Sequence, residues 1–319
     1  MTIVFILLGI ALLTAGGEAL IRGALTLSAK LHISPLLSGL LIVGFGTSAP
    51  ELAVSVDAAL SGKPDLAVTN VIGSNIGNIL LILGLCALIT PLTTTMSALK
   101  RDASCMVGFT VLLIAMMYDQ TLNRWDALIL LTGLAIYLFV TYKAESTRPA
   151  AEALSVQESN EIQATPRSLG FGMLAVLIGL AMMIGGAKSL IHGATALAQS
   201  AGISQAAIGL TVVAIGTSLP ELSVSIIAAI RRHTDVAVGN VLGSNIFNIA
   251  GILGVSATLS PLAINPAFIR VDQWVMLGAA IALVLALVSG RRINRLEGGL
   301  LLAGYMAYCY YIWLKVDSY

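Results

Sequence analysis

The chain of 319 residues is 57 % hydrophobic and only 10 % charged, with a formal net charge of +1 and a mean hydropathy of +0.94. A soluble domain carries roughly 25 % charged residues, so this composition excludes an ordinary globular fold and reads as a lipid-facing bundle. The near-neutral charge offers no footing for a nucleic-acid or acidic partner; membrane lipid is the partner that composition implies.

The apolar runs continue for about 18 residues or more, which predicts spanning helices, whereas a membrane barrel needs short segments of alternating polarity. The first run, 3–28, follows a start that resembles a signal peptide. Met1–Leu13 lacks a charged leading region and a clear cleavage site, so it is read as the first span. Within it Glu18 and Arg22 stand four apart, the spacing of a helical ion pair, and their counterparts in the second half are Lys188 and His192. Gly16, Gly17 and Gly23, with Gly185, Gly186 and Gly193 later, predict a close-packing face that slides against the core. Runs at 35–60, 66–89, 101–118 and 124–143 complete a first set of five. Tyr142–Ser168 then carries Glu145, Arg148, Glu152, Glu158, Glu161, Arg167 and two prolines, which reads as a solvated linker. The second set falls at 169–198, 205–230, 236–258, 270–289 and 296–315. Cys86, Cys105 and Cys309 lie in apolar runs without metal spacing and are read as free buried thiols.

A shift of 170 positions lays Gly46-Thr47-Ser48-Ala49-Pro50-Glu51-Leu52 on Gly216-Thr217-Ser218-Leu219-Pro220-Glu221-Leu222. It also lays Asn70-Val71-Ile72-Gly73-Ser74-Asn75-Ile76-Gly77-Asn78 on Asn240-Val241-Leu242-Gly243-Ser244-Asn245-Ile246-Phe247-Asn248. Segments 44–78 and 214–248 share 20 identities in 35 ungapped positions, and the register extends to Pro91/Pro261 and Asp102/Asp272. Five spans per half is an odd number, so the halves must be inverted relative to each other. The expectation is an all-α integral membrane protein of ten transmembrane helices in two inverted five-helix repeats, with a site between them near the midplane. The first repeat is 1–143, the linker 144–168 and the second repeat 169–319. Eleven Lys and Arg residues fall in loops opposite the N-terminus and four on its own side. That bias puts the linker in the cytoplasm and both termini outside, in the plasma membrane.

Glu51 lies about nine residues before the 61–64 turn and Ser74 about nine after it, roughly 13 Å below the turn in a ~30 Å core. Asn78 is one turn deeper on the face of Ser74, and Glu221, Ser244 and Asn248 repeat the pattern. A carboxylate at such depth is costly and marks a functional site. Pro50 and Pro220 lack an amide hydrogen, which frees the carbonyls of Gly46 and Gly216; those from Gly44 to Thr47 and Ala214 to Thr217 are candidates to face a cavity. The result is an all-oxygen donor set, suited to Ca²⁺ or Na⁺ and unsuited to zinc or copper.

A local reading competes: Ser48-Ala49-Pro50-Glu51 fits a capping box in which Glu51 reaches back to Ser48. Its duplication at mid-membrane favours ligation, and the two roles are compatible. Gly73 and Gly243 are expected to be packing positions, Asn75 and Asn245 inter-helix hydrogen bonders, and Asp65 and Asp235 helix N-caps. Asp57, matched by Ile227, is expected outside the paired site.

The paired Gly-Thr-Ser-x-Pro-Glu and Gly-Ser-Asn-Ile-x-Asn segments resemble the α-repeats of the calcium/cation antiporter superfamily, in particular its sodium/calcium exchanger branch. The resemblance implies exchange of Ca²⁺ for Na⁺ by alternating access; no cofactor is expected, and no obligate protein partner is evident. It makes Glu51 and Glu221 the central carboxylate ligands. Thr47, Ser48, Ser74, Thr217, Ser218 and Ser244 would help form the calcium and flanking sodium sites, with backbone oxygens near Gly44 and Ala214. Asn78 and Asn248 would complete a diamond between the repeats. Some members, potassium-dependent exchangers included, carry aspartate where this chain has Asn248, so potassium co-transport is not implied. Rival readings are a proton-coupled divalent-cation antiporter using the same glutamates and a cation channel with a ring of carboxylates. No nucleophile–base pair or metal triad points to an enzyme.

Overall fold

The computed structural model describes residues 2–31, 33–93, 99–146, 168–200, 214–265, 270–290 and 292–316. Two parts of the sequence reading lie outside them, most of the linker (147–167) and the start of the span at 205–213.

The described chain is helical almost throughout. Thr2–Leu31 (α1) leads to a broken pair, Leu36–Thr47 (α2) and Ala49–Leu60 (α3), then Pro64–Ile89 (α4) and Arg101–Asp119 (α5), and Arg124–Ser146 (α6). Leu169–Ser200 (α7) precedes a second broken pair, Ala214–Thr217 (α8) and Leu219–Ile230 (α9). Thr234–Leu259 (α10), Asp272–Gly290 (α11) and Arg295–Val316 (α12) follow. Among the described residues six helices are long and apolar enough to cross a membrane, seven if the bent pair α2–α3 is one span.

The breaks fall where proline dictates. Pro50 and Pro220 occupy the first turns of α3 and α9, a position that does not need their missing amide hydrogen. The chain bends by 43° between α2 and α3. The turns that follow α3 and α9 close with matching backbone bonds, Lys63 N–H to Ala58 O and His233 N–H to Ala228 O, each 2.8 Å. The left-handed residue in these turns is Gly62 in one copy (φ 69°) and Arg232 in the other (φ 63°). Glycine meets that demand without a Cβ clash; the arginine does not.

Packing separates core from periphery. The apolar windows of α10 and α4 are 94 % and 67 % buried, whereas those of α1, α6 and α7 are 28, 28 and 22 % buried. The last three therefore offer wide faces to lipid. The long helices α1 and α7 lie backbone to backbone: a Cβ on Gly16 would come within 2.9 Å of Gly179 O, and one on Gly179 within 2.8 Å of Gly16 O. The sliding face expected from sequence is corrected here. Gly16, Gly23, Gly186 and Gly193 join α1 to α7, and among the six expected glycines only Gly17 meets the core, at Ile227.

Short strands knit the ends of the helices across the halves. Leu92–Thr93 (β1), Thr121–Leu122 (β2), Leu262–Ala263 (β3) and Arg292–Ile293 (β4) pair antiparallel as β1 with β4 and β2 with β3. Asp65 is not an N-cap; it follows the N-capping position of Lys63 and accepts the Asn265 amide at 2.7 Å. Tyr137 donates to buried Asp102 at 3.0 Å, and Tyr308 bonds the equivalent Asp272. Of the three free thiols, Cys86 is buried, Cys105 half-buried and Cys309 exposed, so the expectation of burial fails for Cys309.

Candidate functional site

The two broken helices and the two buried helices meet at one place, where Glu51 and Glu221 are both 0 % exposed. Each carboxylate is met by a hydroxyl from the other copy. Ser218 Oγ donates to Glu51 Oε1 at 3.0 Å, and Ser48 Oγ donates to Glu221 Oε1 at 2.9 Å. Thr217 stands beside Glu51, and Thr47 beside Glu221. The competing capping-box reading finds no support in these bonds. Ser48 and Ser218 occupy the N-cap positions but make no side-chain cap bond, because their hydroxyls are directed across the repeat interface.

The remaining expected oxygens converge on the same region. Ser74 Oγ lies 3.4 Å from Ser218 Oγ. Ser244 Oγ donates to Gly44 O at 3.0 Å, and that carbonyl also lies within reach of Ser48 Oγ at 3.0 Å and Thr47 Oγ1 at 3.3 Å. Gly44 permits this approach: a Cβ there would stand 2.9 Å from Asn240 O and from Ser244 N. Ala214, the position equivalent to Gly44, is the first described residue of α8. Asn78 and Asn248 are each 1 % exposed, and each stands at a widened π-type stretch, Asn78–Leu83 and Phe247–Leu253. Such stretches re-aim side chains and recur at functional sites.

Acceptors exceed protons here. Ser48 has one hydroxyl hydrogen for two acceptors, Gly44 O and Glu221 Oε1. Four further oxygens are buried with no hydrogen-bond partner: Glu51 Oε2, Glu221 Oε2, Asn78 Oδ1 and Asn248 Oδ1. They form two pairs related by the 170-residue shift. A buried unpaired carboxylate oxygen is costly, and unpartnered oxygens of this kind are donors that suit a hard cation. The polar atoms assembled here, carboxylate, hydroxyl, amide and backbone carbonyl, offer oxygen donors; among the described residues no group of three or more His, Cys, Asp or Glu side chains stands together.

A support layer escaped the sequence reading. Asn70 Nδ2 donates to Glu51 O (3.3 Å) and Ser55 Oγ (3.0 Å), and Asn240 Nδ2 donates to Glu221 O (3.2 Å) and Ser225 Oγ (2.8 Å). These bonds fix the backbone beneath each carboxylate. The available signal was that Ser55/Ser225 and Asn70/Asn240 are identical in the shifted register. Asn75 and Asn245 do bond between helices, as expected.

The copies differ at the rim. A small, partly open cleft is lined by Gly73, Ser74, Gly77, Ser218, Leu222 and Tyr305 among others. Gly73 has no atom within 4 Å of a would-be Cβ, so it lines space, contrary to the packing role expected; Gly243 does pack, against Leu40. At the position of Gly77 the second copy has Phe247, stacked on Phe45 with ring centroids 4.5 Å apart. Asp57 is exposed and outside the site. Glu18 pairs with Arg22 as expected and also with Arg231 at 2.6 Å, which ties α1 to the end of α9. Among the described residues Lys188 and His192 carry no matching pair; the His192 ring meets Phe5 edge-on at 4.7 Å.

The family model described as sodium/calcium exchanger protein matches residues 1–143 and 171–314. The chain is 37 % identical to the putative antiporter CaxA of Alkalimonas amylolytica, over 96 % of this chain and 97 % of that protein. It is 31 % identical to the sodium/calcium exchanger MaX1 of Methanosarcina acetivorans, over 95 % and 96 %. Among solved structures, that of the sodium-calcium exchanger NCX_Mj soaked with zero Na⁺ and Ca²⁺ superposes with a TM-score of 0.84. It has 30 % identity and covers 98 % of both chains.

Proposed function

This chain belongs to the sodium/calcium exchanger branch of the calcium/cation antiporter superfamily, and on that premise we propose that it exchanges Ca²⁺ for Na⁺ across the membrane by alternating access. It is an integral membrane antiporter of cations; the identity of the coupling ion and of the site residues is our reading. The observation that carries it is the symmetric set of four buried, unpartnered oxygens on Glu51, Glu221, Asn78 and Asn248.

In this reading Ca²⁺ sits between the two carboxylates, whose two charges it neutralises. Ser74, Ser244, Ser48, Ser218, Thr47 and Thr217, with the backbone oxygens of Gly44 and Ala214, complete its shell and provide flanking Na⁺ positions. Several Na⁺ are needed to satisfy the oxygens that one Ca²⁺ satisfies, so the two loadings exclude each other. Exchange follows when only a loaded site moves between inward- and outward-open states. The chain then crosses ten times as two inverted five-helix halves, 1–143 and 169–319, with both termini outside and 144–168 cytoplasmic. Lys and Arg asymmetry supports that orientation.

The test is ⁴⁵Ca²⁺ uptake into proteoliposomes under separate Na⁺, K⁺ and H⁺ gradients. An outward Na⁺ gradient should drive uptake and the other two should not. Uptake driven by a pH gradient without sodium would replace the proposal with proton-coupled antiport.

A further inference from the structure

We propose that Asn75 and Asn245 are positioning residues, each of which orients the cation-ligating amide of the opposite repeat so that oxygen, and not the NH₂ group, faces the ion. The inference rests on the exchange reading above and adds what decides the polarity of two of its ligands.

An asparagine ligates a cation only through its oxygen, and its two ends are almost isosteric. Something must therefore hold the nitrogen away. Asn248 Nδ2 donates to Asn75 Oδ1 at 3.0 Å, and Asn78 Nδ2 donates to Asn245 Oδ1 at 3.1 Å. With the nitrogens engaged, Asn78 Oδ1 and Asn248 Oδ1 are left unpartnered. The orienting amides are themselves held. Asn75 Nδ2 donates to Asn245 O at 3.2 Å and faces Met276 Sδ at 3.9 Å; Asn245 Nδ2 donates to Met106 Sδ at 3.5 Å. A flip of Asn75 would set NH₂ against the NH₂ of Asn248 and oxygen against the carbonyl of Asn245, two like-with-like contacts. All four asparagines are at most 1 % exposed, so water cannot substitute as a partner. Met106 and Met276 also correspond under the 170-residue shift, so the arrangement recurs in both halves.

The chemistry supplies a test that packing alone cannot mimic. A carboxylate presents oxygen whichever way it turns, so Asn248→Asp removes the need for orientation. Asn75→Leu keeps the branched outline and deletes the acceptor. In the native background it should raise the half-saturating Ca²⁺ concentration for Na⁺-driven uptake about tenfold, as loss of an outer-shell metal partner does. In the Asn248→Asp background the same replacement should change it by less than about twofold. An equal rise in both backgrounds, or none in the native one, would overturn the inference. The mirror cycle, Asn245→Leu with Asn78→Asp, decides the matter should Asn75→Leu fail to insert. Native protein that takes up no Ca²⁺ under a Na⁺ gradient would overturn the exchange reading and this inference together. Native uptake with an additive cycle would overturn this inference alone.

Discussion

In α2–α4 and in α8–α10 position after position keeps one task in both copies: Ser48 and Ser218 each reach the other half's glutamate, and Asn70 and Asn240 each hold a glutamate backbone. In α1 and α7, which the same duplication produced, the chemistry has parted. Glu18 binds Arg22 and Arg231 on one side, while the equivalent Lys188 is exposed and His192 rests on Phe5. The difference follows from what each region must satisfy. A cage between two copies needs a donor from each half for an acceptor in the other, so a change in one is felt in both. The long helices meet through backbone at Gly16 and Gly179, and that contact constrains size without constraining charge.

Substitution probes the contrast, and the largest effect belongs to the cage. Glu51→Gln and Glu221→Gln should each abolish Na⁺-driven ⁴⁵Ca²⁺ uptake while the protein still inserts, because either removes one of two charges that balance the ion. Normal uptake in one of them would break the equivalence of the copies. Next in size, Gly179→Leu should lower stability by about 1–3 kcal/mol through overpacking against α1, read as a fall in the melting temperature of purified protein. Leucine at Gly185, where a Cβ meets nothing within 4 Å, is the control and should leave it unchanged. Gly77→Phe copies the second repeat's residue into the first. Its Cβ meets nothing closer than Tyr305 at 3.9 Å, and its ring should crowd the cleft beside Ser74 and Ser218. Turnover should fall about tenfold, ~1.4 kcal/mol on the barrier, with Ca²⁺ affinity nearly unchanged; unaltered turnover would show that ions do not use this cleft. The smallest change is expected from Glu18→Gln, about 0.2–1 kcal/mol for a partly exposed ion pair, and it should vanish in high salt.

Much of the site was legible because the repeat doubles every signal. A lone Glu51 could be a cap; Glu51 and Glu221 in one register, each after a proline and each at mid-membrane depth, point to a pair. The described helices, too, lie near their expected ranges, since long apolar runs bounded by Gly, Pro and charge leave little freedom in where a helix ends. What escaped was whatever depends on which atoms face one another. Asn70 and Asn240 carried an identical register but no local pattern that names a backbone carbonyl as their partner. Gly73 and Gly243 are the same residue in the same motif, yet one lines a cleft and the other packs on Leu40. Their surroundings differ because Phe247 stands where Gly77 does.

From sequence alone came the oxygen-bearing residue types, their duplication and an expected mid-membrane depth, since these depend on residue type, an ungapped shift and helical rise. Tertiary structure decided the direction of the bonds. Ser48 and Ser218 have the spacing of capping residues, and spacing within one helix admits that reading. The crossing of the two broken helices brings each hydroxyl within 3.0 Å of the other half's carboxylate, and a hydroxyl with one proton gives it to the stronger acceptor. The cage is therefore a property of the interface between the halves, which no single segment of the chain encodes.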